Sequence, residues 1–339
     1  MPRRILITGG AGFVGFHLAR RLAEEDEAEL TIVDNFSRGS HDEEFAAIAA
    51  KPNVCVRDAD LTQPESWSQL GTSYDEVYHL AAVIGVRNVL ASPSDVMRVN
   101  ALSTIHLLDW FVDGGGNKLL FSSTSEVYAW TQQFHTLRVP TPEDVPLSLT
   151  QLTDRRSSYA GSKIFGELAL HQYCRPRAKP FVIVRYHNVY GPRMGSEHVI
   201  PELLHRVFSR QSPLIVYSAD HTRAFCYVSD AVEATIAAMR ENGTDGATLN
   251  VGNDLEEVSI AGLATRITAC MNINLAIEAR PAENDPILRR CPDLTRARTL
   301  LEYEPKISLD DGLRQTIAWY KPRLAKSAAT DRTVGDGLL

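Results

Sequence analysis

Four side chains in this 339-residue sequence have the types and spacing of an alcohol-oxidising site: Thr124, Glu126, Tyr159 and Lys163. Tyr159 and Lys163 stand four apart in Tyr-Ala-Gly-Ser-Lys, at the start of a predicted helix, so both project from one face. A free phenol has a pKa of about 10 and is a weak base at neutral pH, whereas a neighbouring ammonium and an oxidised nicotinamide would each favour the phenolate. The pair therefore suits removal of a proton from a substrate hydroxyl. The same spacing alone would describe a surface contact; its place after a glycine loop and five strands raises it. The run Ser122-Ser123-Thr124-Ser125-Glu126-Val127-Tyr128 follows a strand end, where open α/β sheets bind ligands. Thr124 could hydrogen-bond the reacting hydroxyl there, and Glu126 brings a carboxylate to the same point or else serves as a capping acid.

A second constellation points to a dinucleotide. Thr8-Gly9-Gly10-Ala11-Gly12-Phe13-Val14-Gly15 places Gly9, Gly12 and Gly15 directly after a strand and opens a helix with Phe13 and Val14. Glycines permit the tight turn and let the backbone approach a pyrophosphate, whose charge then sits on the helix N-terminus. Asp34 ends the next strand, where its carboxylate can accept hydrogen bonds from ribose hydroxyls and repel a 2′-phosphate. It favours NAD over NADP, although the nearby Arg38 could instead receive that phosphate; Asn35 and Arg38 are expected to bind the cofactor beside it.

These residues require a particular set of elements. Apolar runs at Arg3–Thr8, Leu30–Val33, Val54–Val56, Glu76–Leu80 and Lys118–Ser122 alternate with helical stretches at Phe13–Glu25, Val96–Val112 and Ser158–Cys174. That alternation predicts an α/β fold with a Rossmann-type doubly wound parallel sheet over residues 1–180. Beyond Phe181–Arg185, Pro192, Pro201 and Pro213 punctuate a smaller α/β lobe, expected over 181–325, with helices near Val199–Ser209 and Ala231–Arg240. Residues 326–339 read as a flexible tail.

Composition narrows the function. With 44% apolar and 23% charged residues the chain can bury a full core, and its formal charge of −7 argues against a nucleic-acid surface. No window approaches the roughly 18–20 apolar residues of a membrane span, and Met-Pro-Arg-Arg-Ile-Leu-Ile runs straight into a strand, so a cytoplasmic location is expected. Cys55, Cys174, Cys226, Cys270 and Cys291 are far apart and lack metal-ligand spacing, so reduced thiols and no metal site are expected.

Together these motifs resemble the extended short-chain dehydrogenase/reductase family, in its nucleotide-sugar epimerase, dehydratase and decarboxylase branch, over nearly the whole chain. The resemblance implies adenine contacts at Asp60 and Leu61, and His79-Leu80-Ala81-Ala82 and Ser122 beside the cofactor. Arg185-Tyr186-His187-Asn188-Val189-Tyr190-Gly191-Pro192-Arg193 is similar to a family motif whose Asn touches the sugar diphosphate, which implies substrate roles for Asn188 and Arg193. Thr222-Arg223-Ala224-Phe225-Cys226-Tyr227-Val228-Ser229-Asp230 implies a phosphate contact from Arg223, and Asn284-Asp285-Pro286 through Arg289 implies a nucleotide contact from Arg289. Ser125, His198 and Val199 complete the implied substrate set. Forked guanidinium donors would meet a diphosphate in this acidic protein; outside the pattern, Arg223 and Arg289 would read as solvated surface charges.

The implied first step is proton removal from the sugar O4 by Tyr159 as C4 gives hydride to NAD, with Lys163 holding the ribose. Hydride return to the other face gives a C4 epimer. Removal of the C5 proton by Glu126 allows 4,6-dehydration, and a C6 carboxylate would instead leave as carbon dioxide. The Thr-Ser-Glu triplet resembles dehydratases and decarboxylases, and Gly-Pro-Arg-Met and Thr-Arg-Ala-Phe lean to the decarboxylases. Two departures stand out. Gly195-Ser196-Glu197-His198 lacks the arginine of that subgroup, leaving His198 as carboxylate partner or as a structural histidine, and Ala129-Trp130 puts a bulky ring near the substrate mouth. The substrate would be a UDP-, GDP-, dTDP- or CDP-linked sugar and the assembly a homodimer. A 4-epimerase, a ketoreductase and an NAD-binding protein without turnover are the alternatives; the intact Thr124, Glu126, Tyr159 and Lys163 speak against the last.

Overall fold

The computed structural model describes residues 1–134, 137–281 and 287–335. Strand β1 (Arg3–Thr8) enters the core with Ile5, Leu6 and Ile7 fully buried, the pattern of a central parallel strand covered on both faces. It leads through the glycine loop to α1 (Phe13–Leu22), which buries Phe16, Leu18, Ala19 and Leu22. β2 (Ala28–Asp34), α2 (Glu43–Ala49), β3 (Val54–Asp58), the short α3 (Pro64–Ser68) and β4 (Tyr74–His79) follow. Next come α4 (Val86–Ala91), α5 (Pro93–Trp110), β5 (Gly116–Thr124), a tight turn at Ser125–Tyr128, α6 (Ala129–Phe134), α7 (Ser157–Cys174) and β6 (Phe181–Tyr186). α5 begins at Pro93, ahead of the expected Val96, because proline suits a first helical turn. β5 runs on to Thr124 because Ser123 and Thr124 still pair with Arg185 and Tyr186.

The second half comprises β7 (Val189–Tyr190), α8 (Val199–Phe208), β8 (Leu214–Tyr217), β9 (Thr222–Ala224), β10 (Cys226–Tyr227), α9 (Val228–Arg240), β11 (Thr248–Val251), β12 (Glu257–Ser259), α10 (Ile260–Cys270), β13 (Ile277–Arg280), β14 (Arg289–Arg290), α11 (Thr295–Leu301) and α12 (Leu309–Gly335). Its strands are short, and one of them, β11, joins the main sheet, which is parallel and seven-stranded in the order β3-β2-β1-β4-β5-β6-β11. The winding reverses between β1 and β4, and a crevice opens at such a switch point beyond the strand ends. A separate three-stranded sheet, β12-β9-β14, sets Arg290 beside Arg223.

One hydrophobic cluster runs from Ile5, Ile7 and Leu120 in the sheet to Leu203, Leu263 and Leu313 in the second half. A second cluster, with Leu6, Val77, Leu107, Phe121 and Leu170, fills the space between the sheet and α5 with α7. α12 continues through the start of the expected tail to Gly335, where Leu, Ala, Lys and Arg give good helix propensity; residues 336–339 lie outside the described residues. So does Asn284-Asp285-Pro286. Among the described residues no helix is long and apolar enough to cross a membrane.

Candidate active site

A cavity of about 850 Å³ opens at the strand ends. The first half of the chain lines it with Phe13, Val14, Leu80, Ala82, the whole run Ser122–Glu126, Trp130, Tyr159 and Lys163. The second half adds Asn188, His198, Val199, Arg223 and Arg290. A smaller cavity of about 610 Å³, between Arg138, Glu143 and Arg296, contains none of the expected site residues.

The first-half wall is built from β5 and α7. Lys163 is buried, donates to the Ser122 carbonyl at 2.8 Å and lies 4.8 Å above the Phe121 ring. Burial lowers its pKa to about 8 against the opposing charge of Glu167, one helical turn on. Tyr159 is hydrogen-bonded by Thr124, whose Oγ1 also accepts the Glu126 amide at 3.2 Å and so shapes the turn after β5. Burial raises the Tyr159 pKa and the Glu126 charge adds to that, while the Thr124 hydrogen bond and Arg38 oppose it. Lys163 had been expected to favour the phenolate; it is turned to Ser122, and the cation that opposes the rise is Arg38.

Behind this wall lies a buried network that sequence reasoning missed. Ser123 donates to Glu167 at 2.5 Å, Glu167 takes a forked pair from Arg185 at 2.6 and 2.9 Å, and Arg185 reaches the Tyr128 hydroxyl and the Glu143 carbonyl. Tyr128 in turn donates to Asn250 at 2.8 Å. A desolvated ion pair whose remaining donors are all matched over-determines the position of its neighbours, here β5 relative to α7 and β11. Asn100 does similar work at the cavity edge, holding both backbone groups of Val83 and the Ser162 hydroxyl. Ser123, Tyr128, Ser162 and Arg185 stood in motifs noticed in the sequence without this role, whereas Glu167, Glu143, Asn250 and Asn100 stood in none.

The glycine loop fits a dinucleotide pyrophosphate. A side chain on Gly9 would meet the Ala81 amide at 2.6 Å, and one on Gly15 the Gly9 carbonyl at 2.1 Å, so the loop lies flat against Leu80 and Ala81. Gly12 precedes α1 with no side-chain cap, which leaves the first-turn amides to an outside acceptor, and Phe13 and Val14 face the cavity. Asp34 accepts the Ala11 and Phe36 amides at 2.9 Å each, bracing the loop at the end of β2, and Asn35 accepts Ser37. Arg38 reaches the Ile84 carbonyl at 2.7 Å. Asp60 binds the Thr62 amide and hydroxyl, and the Leu61 carbonyl accepts the Trp67 indole, so this pair shapes a turn outside the cavity lining. His79, joined to Thr8 at 2.8 Å and held neutral by burial with a pKa of about 3, ties β4 to β1 beneath the loop.

In the second half, Asn188 adopts φ +40° and donates to the Ala224 carbonyl. Arg223 is nearly buried and donates to the Thr222 carbonyl at 2.8 Å. His198 precedes α8, and burial and Arg38 lower its pKa. Two expected substrate contacts are not brought to the cavity. Arg289 is half exposed and pairs with Glu257 at 2.7 Å; its neighbour Arg290 faces inward and meets Glu126 at 2.5 Å. Arg193 is buried against Phe16, Asp42 and Glu44, because its left-handed backbone, φ +68°, turns the side chain toward α1 and α2. Alternation along a strand of two residues is the signal that could have separated Arg290 from Arg289.

Comparison with known proteins accords with this geometry. Residues 5–252 match the NAD dependent epimerase/dehydratase family. The chain is 33% identical over 332 residues to the UDP-N-acetyl-alpha-D-glucosaminuronate decarboxylase of Bacillus cytotoxicus, covering 95% of this chain and 98% of the relative. It is 32% identical over 314 residues to UDP-glucuronic acid decarboxylase 5 of Arabidopsis thaliana, covering 91% and 87%. Among solved structures, a variant of the Bacillus cereus UDP-glucuronic acid 4-epimerase in complex with UDP-4-deoxy-4-fluoro-glucuronic acid and NAD superposes with a TM-score of 0.83 at 26% identity, over 94% of this chain and 99% of that one. The chain therefore belongs to the NAD-dependent epimerase/dehydratase family, with NAD as its cofactor.

Proposed function

We propose that this chain is a lyase, an NAD-dependent decarboxylase of a UDP-linked hexuronate. The observation that carries the reading is the Glu126–Arg290 pair, 2.5 Å apart in the cavity that also holds Thr124, Tyr159 and Lys163. Oxidation and re-reduction at C4 need no acid or cation beyond Tyr159 and Lys163, whereas loss of carbon dioxide from C5 needs a proton donor there. Relatives named as decarboxylases of UDP-glucuronic acid or UDP-N-acetyl-glucosaminuronate support the hexuronate and the uridine.

When bound, NAD would supply the hydride acceptor for C4 and the hydride for its later reduction. Tyr159 takes the O4 proton while Thr124 orients the oxygen, and Lys163, beside Ser122, is placed to hold the nicotinamide ribose. Once C4 is a ketone the C6 carboxylate lies β to it. The C5–C6 bond breaks, carbon dioxide leaves, and the electron pair becomes an enolate between C5 and O4. Glu126 governs the proton that C5 then takes up, and Arg290 and Arg223 give an anionic substrate two cations on one wall. Residues 1–180 would chiefly hold the cofactor and 181–325 the nucleotide sugar. Met97 on α5 and Phe165 and Leu168 on α7 are exposed apolar side chains on adjacent helices, which supports a homodimer through that face. Five free cysteines support a reducing, cytoplasmic setting.

The test is mass spectrometry of purified protein with NAD and UDP-, GDP-, dTDP- and CDP-linked hexoses and hexuronates in deuterated water. The expected product is a UDP-pentose with one deuterium at C5. Isomerisation without mass loss would replace the lyase with an epimerase, and loss of water would make it a dehydratase.

A further inference from the structure

Arg193 sits where two loops of the crevice meet. Its guanidinium lies 3.9 Å above the Phe16 ring, is ion-paired with Asp42, reaches Glu44 at 3.4 Å and donates to the Ser40 hydroxyl at 3.3 Å. Asp42 and Ser40 close the segment that begins at Asp34, and Asp42 also caps α2 through the Phe45 amide at 2.9 Å. On the other side Arg193 is followed by Met194, and Met194, His198 and Val199 all line the cavity. The loop is held from two further directions. His17 on α1 meets the Pro192 carbonyl at 2.9 Å, and the Tyr320 hydroxyl donates to the Met194 carbonyl. α12 also grips the far partner, since Trp319 and Arg323 both donate to Glu44 at 2.8 Å.

We infer that Arg193 is a positioning residue: it locks the Asp34–Glu44 segment to the Met194–Val199 wall, so that bound NAD raises the affinity for the nucleotide sugar. This rests on the functional reading above, together with the ribose contact expected of Asp34 and the substrate contacts expected of His198 and Val199. Two acceptors on one terminal nitrogen of the guanidinium, a third on the other and a flat ring below suit a planar fork of donors and not a point charge, so lysine would not replace it. A ligand that orders one end of such a lock lowers the ordering left for the other, and the coupling is reciprocal.

The experiment is titration calorimetry of the full chain with UDP, with and without saturating NAD, in wild type, Arg193→Lys and Asp42→Asn. Asp42→Asn removes the charge but keeps a capping oxygen, which guards against loss of fold. Wild type should bind UDP about tenfold more tightly with NAD present, a coupling of ordinary size. Both variants should bring that ratio near one and raise KM, with kcat at saturation of both ligands within about twofold. A ratio near one in wild type, or an unchanged ratio in both variants, would overturn this inference while leaving the functional reading in place. Wild type that binds no UDP would overturn both.

Discussion

The two walls of the cavity are built differently. On the wall from β5 and α7, Lys163 hydrogen-bonds a sheet carbonyl, and Ser123, Glu167 and Arg185 lock the strand from behind. On the opposite wall, Arg223, Arg290, Asn188 and His198 stand on strands of two or three residues or at turns; Arg223 and Asn188 donate to backbone carbonyls, and Arg290 meets the Glu126 carboxylate across the cavity. Charge that develops during a reaction is best met by dipoles already fixed in place, whereas ligands of varied shape are best met by groups that exchange one partner for another. On the function proposed above, the difference would put chemistry on the first wall and recognition on the second.

The largest expected effect breaks that assignment if it fails. Tyr159→Phe should lower kcat by about 10³-fold or more, the scale of a lost acid–base group, while NAD binding by calorimetry stays within about twofold. Near-normal turnover would move the chemistry elsewhere. A smaller effect sharpens the other half of the comparison. Arg290→Met should raise KM by roughly 10- to 100-fold, because it removes a cation that lines the cavity beside Glu126. Arg289→Ala, which removes an exposed pair, should stay within about threefold in steady-state kinetics. Equal effects would erase the distinction between inward and outward arginine.

The smallest effect concerns the pH dependence of the first wall. The Lys163 pKa is about 8 in the folded protein, below its ordinary 10.5, so between those values the unfolded chain holds more protons. Stability from this group therefore rises with pH across that window, and below about pH 8 the cost of burying the cation is constant. Relative to Lys163→Met, wild type should gain on the order of 1 kcal/mol per pH unit above pH 8, read from denaturant melts at pH 7, 8, 9 and 10. A constant difference would mean that Lys163 is not held as a desolvated cation.

Much of the first wall was legible because its parts are local. The glycine loop and the Tyr159/Lys163 pair occupy single segments, and parallel sheets present the ends of their strands to ligands. Helix spacing alone puts Tyr159 and Lys163 on one face. The second wall was harder to read, because its short strands have no pattern of their own. Arg289 and Arg290 differ only in which faces the cavity, and that follows from the pairing of Arg290 with Arg223 and of Arg289 with Thr222 in β9. A shift of one residue would exchange them.

By itself the sequence determined the order of the first five strands, the parallel sheet, the glycine loop and the identity of the groups able to move a proton, since each depends on short-range periodicity or on residue chemistry. Only the tertiary structure decided that Arg290 and not Arg289 meets Glu126, that Arg193 bridges Phe16, Asp42 and Glu44 outside the cavity, and that Arg185 and Glu167 brace β5. These contacts join residues from 18 to 177 positions apart. Side-chain direction at such range is set by strand register, a left-handed residue and the need of every buried charge for a partner, none of which a local window contains.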